Sequence, residues 1–93
     1  MKRPAKRNPR ILLSEFSSSL GNETLNGRFY RDRGSLVFER ELIERDGTSF
    51  TMVFPFREAA AARALVAADP YYSRVRSEAT RALSKLDRAL REP

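Results

Sequence analysis

Phe50, Met52, Phe54 and Phe56 set a large apolar side chain at every second position, a period that only an extended strand presents on one face. Such a strand needs a partner. The run from Leu36 to Ile43 supplies it, with Asp46-Gly47 between the two as a turn signal. Two registers are open to this hairpin. A loop of Asp46-Gly47 alone places Phe50 opposite Ile43, Met52 opposite Glu41 and Phe54 opposite Glu39, which sets two carboxylates in the aromatic row. A loop of Arg45-Asp46-Gly47, with Gly47 in the left-handed region, pairs Leu42 with Phe50, Phe38 with Phe54 and Leu36 with Phe56. A slip of one residue exchanges the faces of a strand, so the second register is the one the apolar pattern selects.

Continued back through a tight turn at Arg33-Gly34, that register sets Phe29 beside Phe38 and Leu25 beside Leu42. One face is then expected to be core, from Leu25 and Phe29 to Phe50, Met52, Phe54 and Phe56, interrupted by Arg31 and Arg40. The other face holds Arg28, Tyr30, Val37, Glu39, Glu41, Val53 and Pro55. Ahead of these strands, Ile11 to Phe16 is a short strand candidate, and the Ser-, Asn- and Gly-containing stretch 17–26 reads as a loop.

After Phe56 the pattern changes. Arg57 to Ala68 is Ala-rich, which favours a helix that can lie close on a sheet, and Asp69-Pro70 ends or kinks it. Asp69 as N-cap and Pro70 at the first position then start a second helix with an apolar stripe of Tyr72, Val75, Ala79, Ala82, Leu83, Leu86 and Leu90. The expected fold is α+β: an antiparallel sheet of three to four strands, a broken Ala-rich helix and an amphipathic C-terminal helix. It forms a single domain over residues 11–93, preceded by a disordered basic arm over residues 1–10. At 93 residues the core is modest, so a homodimer or a stabilising partner fits the size.

The net charge of +6 is unevenly placed. The first ten residues hold Lys2, Arg3, Lys6, Arg7 and Arg10 and no acid, whereas residues 35–56 sum to −2 and residues 70–93 to +3. The reading is a near-neutral domain with a basic arm and a basic helix, not a basic sheet. In the last helix Arg74, Arg81, Lys85 and Arg88 recur at spacings that keep them along one side, with Glu78 and Asp87 placed to pair with Arg74, Arg81 and Arg91. Arg28 and Tyr30 share the open face, where a ring beside a guanidinium could stack an unpaired base. The competing reading pairs Arg28 with Glu39 and lays Tyr30 against Val37.

Much chemistry is excluded. The chain has no His and no Cys, which removes triads, imidazole acid–base catalysis, thiol nucleophiles and zinc knuckles. Gly21, Gly27, Gly34 and Gly47 are read as turn residues, and no phosphate-cradling loop is present. An enzyme is not expected, nor a metal or cofactor. With no Cys, no signal-peptide pattern and no long apolar run, a cytoplasmic protein away from membranes fits best.

The order β-β-β-β-α behind a basic arm is similar in architecture to PUR-repeat and Whirly-type single-strand binders, which have a curved antiparallel sheet followed by a helix. The likeness is one of fold and transfers no residue. The expected function is a small non-catalytic module that binds nucleic acid or a nucleoprotein, single-stranded DNA or RNA before sequence-specific duplex DNA. Lys2, Arg3, Lys6, Arg7, Arg10, Arg28, Tyr30, Arg74, Arg81, Lys85 and Arg88 are the candidate contacts. The alternative is a regulatory, accessory or phage-encoded inhibitor protein that docks on an acidic or other protein partner through its exposed sheet face or last helix, as a dimer.

Overall fold

The computed structural model describes residues 10–92. Strands β1 (Arg10–Leu20), β2 (Glu23–Asp32), β3 (Ser35–Ile43) and β4 (Ser49–Phe56) form an antiparallel sheet in the order β1-β2-β3-β4. Helices α1 (Ala59–Ala67) and α2 (Tyr72–Arg91) follow and pack on one face. The α+β architecture, the four strands and the break at Asp69-Pro70 are therefore as expected.

The turns explain the registers. Leu42 faces Phe50, Phe38 faces Phe54 and Leu36 faces Phe56, and on the other side of β3, Phe29 faces Phe38 and Leu25 faces Leu42. Gly47 has φ 92° and its N–H bonds the Glu44 carbonyl, as a three-residue loop with a left-handed glycine requires. Arg33 and Gly34 both have positive φ, 56° and 83°, the condition for the mirror-image turn that suits the twist of a two-residue hairpin.

β1 is longer than its composition suggests. It continues through Ser17, Ser18 and Ser19 to Leu20, and Gly21 (φ 74°) with Asn22 makes the turn, so the loop expected over 17–26 is strand at both ends. The physical reason is an alternation that the serines obscure. Phe16, Ser18 and Leu20 face the helices, paired with Gly27, Leu25 and Glu23, and the apolar members are buried. Gly27 is likewise not a turn residue: it lies within β2, and the Phe16 ring occupies the space a side chain would need. Arg10, assigned to the arm by its charge, is the first residue of β1; Met1 to Pro9 lie outside the described residues.

The core lies between the helices and the first three strands. Phe29, Phe38 and Leu25 on the sheet meet Ala62 and Val66 of α1 and Val75, Ala79 and Leu86 of α2, and the Phe29 and Phe38 rings stack at 4.8 Å. The helix layer reaches β4 only near Phe54 and Phe56. Phe50 and Met52, expected in the core row, are 52% and 47% exposed. Their face is the one the alternation assigns, but the two helices are too narrow to cover it.

Arg40 also faces the helices. Its guanidinium grips both carboxylate oxygens of Asp69, with side-chain exposures of only 10% and 8%. Asp69 in addition accepts the Tyr71 N–H at 2.9 Å. The turn between the helices is thereby fixed to β3, and α2 begins at Tyr72, two residues later than an N-cap at Asp69 implies.

Candidate nucleic-acid interface

α2 owes its placement to small residues. Ala79 and Ala82 are fully buried and let the helix approach β1 closely, where the Ser14 hydroxyl donates to the Ala82 carbonyl at 2.8 Å. At the helix start the Tyr71 hydroxyl donates to Glu23, beside the β1–β2 turn, at 3.3 Å. α2 therefore runs antiparallel to β1. Its last turns lie beside the first residues of β1, and Leu13 and Leu90 pack on the same core.

This direction corrects one inference from the sequence. The charge map separates two basic ends along the chain, but the fold brings them together. From Ala82 to Arg91 the helix advances about 14 Å, and from Ser14 back to Arg10 the strand covers about 13 Å. The root of the basic arm and the basic end of α2 sit at one end of the sheet.

Arg74, Arg81, Lys85 and Arg88 are exposed, as a stripe opposite the buried one must be. At 100° per residue they occupy about 60° of arc over a rise of about 21 Å. Arg81, Lys85 and Arg88 line one side of a groove of about 470 Å³ whose other wall is Glu15, Phe16 and Ser17 of β1. The expected neutralisation by Glu78 and Asp87 forms only in part. Asp87 pairs with Arg91 at 3.0 Å and with Arg63 of α1 at 3.7 Å, whereas Glu78, at the other end of the groove, pairs with no cation among the described residues. Arg74, Arg81, Lys85 and Arg88 likewise make no ion pair among the described residues.

The remaining described candidates form a separate cluster on the open face. Arg28 lies 3.1 Å from Glu41, 3.4 Å from Glu39 and 3.9 Å from Glu15, so the cross-strand pairing is what forms. Burial, which alone would lower the Arg28 pKa, is outweighed by the hydrogen bond to Glu41 and the nearby charges, and the pKa is raised. Hydrogen bonds from Asn26 and then Arg28 hold the Glu41 carboxyl below its ordinary range. Tyr30 faces Val37, and the Arg10 guanidinium covers its ring at 3.9 Å, while Arg10 also reaches Asp32 and Glu39. Arg10, Arg28 and Tyr30 are thus committed to one another's neighbourhood and lie on the face opposite α2. Lys2, Arg3, Lys6 and Arg7 fall outside the described residues. Phe16 and Ser17 of the groove wall are not among the residues that the charge pattern singles out; the alternation Phe16, Ser18, Leu20, which continues the strand past Phe16, is the signal for that wall.

No family model matches this chain, nor does any curated protein or solved structure. Among the described residues no helix is long and apolar enough to cross a membrane.

Proposed function

We propose that this protein is a small non-catalytic module that binds the phosphate backbone of single-stranded DNA or RNA along α2, with the cations Lys2, Arg3, Lys6 and Arg7 as further contacts. The observation that carries the reading is the set of cations in the β1–α2 groove, Arg81, Lys85 and Arg88, which make no ion pair among the described residues. Cations left without carboxylate partners are those that gain most from releasing the counterions of a polyanion. Base readout is no part of this reading: the groove holds no Asn or Gln to pair with an adenine edge, and the Tyr30 ring on the other face is already covered by Arg10. Recognition is accordingly of charge and of a flexible strand.

The test is a binding titration across salt with single-stranded DNA, RNA and duplex DNA, using the whole chain, a chain lacking residues 1–9, and Arg81→Ala/Lys85→Ala/Arg88→Ala. Loss of three phosphate contacts should lower the slope of log K against log salt by about 2 for a single strand, and deletion of the arm should lower it further. Absence of binding to any polymer, or a slope unmoved by the triple substitution, refutes the reading. A second reading, docking on a protein partner through the sheet, draws on the exposed Leu12 and Val53 of the open face.

A further inference from the structure

We propose that two copies of this chain pair through β4, antiparallel about a two-fold axis perpendicular to the sheet, making one continuous sheet from the four strands of each. The backbone of β4 is set up for this. The Glu44 N–H donates to the Thr48 carbonyl at 2.7 Å, so Glu44 and Thr48 form a bonded pair of the ladder. Bonded and non-bonded pairs alternate in an antiparallel hairpin. Residues 50, 52, 54 and 56 therefore turn their backbone groups toward β3, and Ser49, Thr51, Val53 and Pro55 turn theirs outward. Pro55 lacks an N–H only where β3 does not need one. The outward groups of Ser49, Thr51 and Val53 bond to no other backbone group among the described residues.

The two sheet edges are treated differently. β1 carries the devices that keep an edge from pairing: a register irregularity between Leu12 and Ser14, the charges of Arg10 and Glu15, and α2 alongside. β4 carries no charge from Thr48 to Phe56 and shows apolar side chains on both faces, Phe50 and Met52 beside the helices and Val53, 54% exposed, on the other. A neutral strand offers nothing to select a charged foreign strand and nothing to repel its own copy. Antiparallel self-pairing keeps like faces together, so Phe50 and Met52 of one copy lie beside the same apolar row of the other, and Val53 beside Ser49, Thr51 or Val53 according to register. The exposed row left by the helices becomes an interior strip between two copies, which also suits a chain too small for a large core of its own.

A two-fold pair has one residue that faces itself: Thr51, Met52 or Val53, depending on register. The chain has no Cys, so single cysteines report it without background. Opposed residues lie at Cα separations of about 4.5–5.5 Å, within disulfide reach. Under mild oxidation, one of Thr51→Cys, Met52→Cys and Val53→Cys should become mostly covalent dimer, while Ser84→Cys on α2 should not. By sedimentation the native chain should be a dimer. Thr51→Pro, which removes an outward N–H and leaves the bonds to β3 intact, should keep the native circular dichroism and weaken the dimer about tenfold or more. A native chain that sediments as a monomer at its highest soluble concentration overturns the proposal, even where another protein is found on that edge. So does a dimer whose β4 cysteines cross-link no better than Ser84→Cys, or one that a folded Thr51→Pro leaves unchanged.

Discussion

Gly27→Ala tests whether Phe16 and Gly27 are packed as one unit across β1 and β2. A Cβ at position 27 would stand 2.3 Å from Phe16 Cε2 and 2.5 Å from Cζ. Normal carbon contact is about 3.5–4.0 Å, so the ring must retreat by more than about 1 Å. Phe16 is 7% exposed, and its neighbours are close-packed, so the retreat either strains the core or expels the ring. The first route costs about 1–3 kcal/mol and the second about 1.5–3 kcal/mol. Opposing this, alanine stiffens the unfolded chain and contributes about 0.4–1 kcal/mol of stability. A net loss of about 1–2 kcal/mol remains, or roughly 4–16 °C in Tm for a domain of this size. Urea unfolding followed by circular dichroism measures it. The double variant with Phe16→Leu should recover at least about 0.5 kcal/mol relative to the sum of the two single effects, because the smaller side chain vacates the contested space. A neutral or stabilising Gly27→Ala, or strict additivity with Phe16→Leu, refutes the packing account.

Arg40→Met leaves the Asp69 carboxylate buried without its cation and should cost about 3–5 kcal/mol, whereas Arg40→Met with Asp69→Asn, which restores neutrality and keeps an acceptor for the Tyr71 N–H, should recover much of it; chemical denaturation of the native chain and the two variants decides this. Glu41 is more acidic folded than unfolded, so its contribution is complete above the ordinary glutamate pKa of 4.5 and is lost as pH falls through the lower folded value. The Tm advantage of the native chain over Glu41→Gln should accordingly be present at pH 7 and shrink as pH falls below 4.5, and an advantage that grows on acidification contradicts the pairing with Asn26 and Arg28.

The hairpin registers were legible because they rest on local chemistry. Apolar alternation and the left-handed glycine both act within a few residues, and each excluded the competing pairing of Glu39 and Glu41 with the aromatic row. Ser17 to Ser19 obscured the same alternation because serine is a turn residue by propensity; Phe16, Ser18 and Leu20, paired with Gly27, Leu25 and Glu23 on the next strand, carry it through. Phe50 and Met52 mark another boundary. Alternation assigns a side chain to a face, but whether that face is covered depends on where two helices of nine and 20 residues come to rest, which no periodicity encodes. Arg40 is the converse: a cation in an apolar row reads as an interruption until Asp69, far along the chain, arrives beside it. The direction of α2 along β1 was equally out of reach, since it is set by contacts such as Ser14 with Ala82, 68 positions apart in the sequence.

That direction separates the two proposed tasks on one sheet. The cations of α2 border β1, and the neutral strand β4 is at the opposite edge, three strand spacings or about 14 Å away. Pairing through β4 therefore hides none of the groove beside Arg81, Lys85 and Arg88. A two-fold axis perpendicular to the sheet also keeps both α2 helices on the same face, with the two β1 strands about 34 Å apart across the joined sheet. A polymer that contacts one cationic stripe is then held near the second, and the second contact becomes intramolecular. Affinity for a long strand would thus depend on β4 even though β4 touches no phosphate, while binding of a strand too short to span both stripes would not. The two proposals remain separable on this account: the groove substitutions act on the salt slope of either polymer length and leave self-association alone, and Thr51→Pro acts on self-association and, through it, on long polymers only.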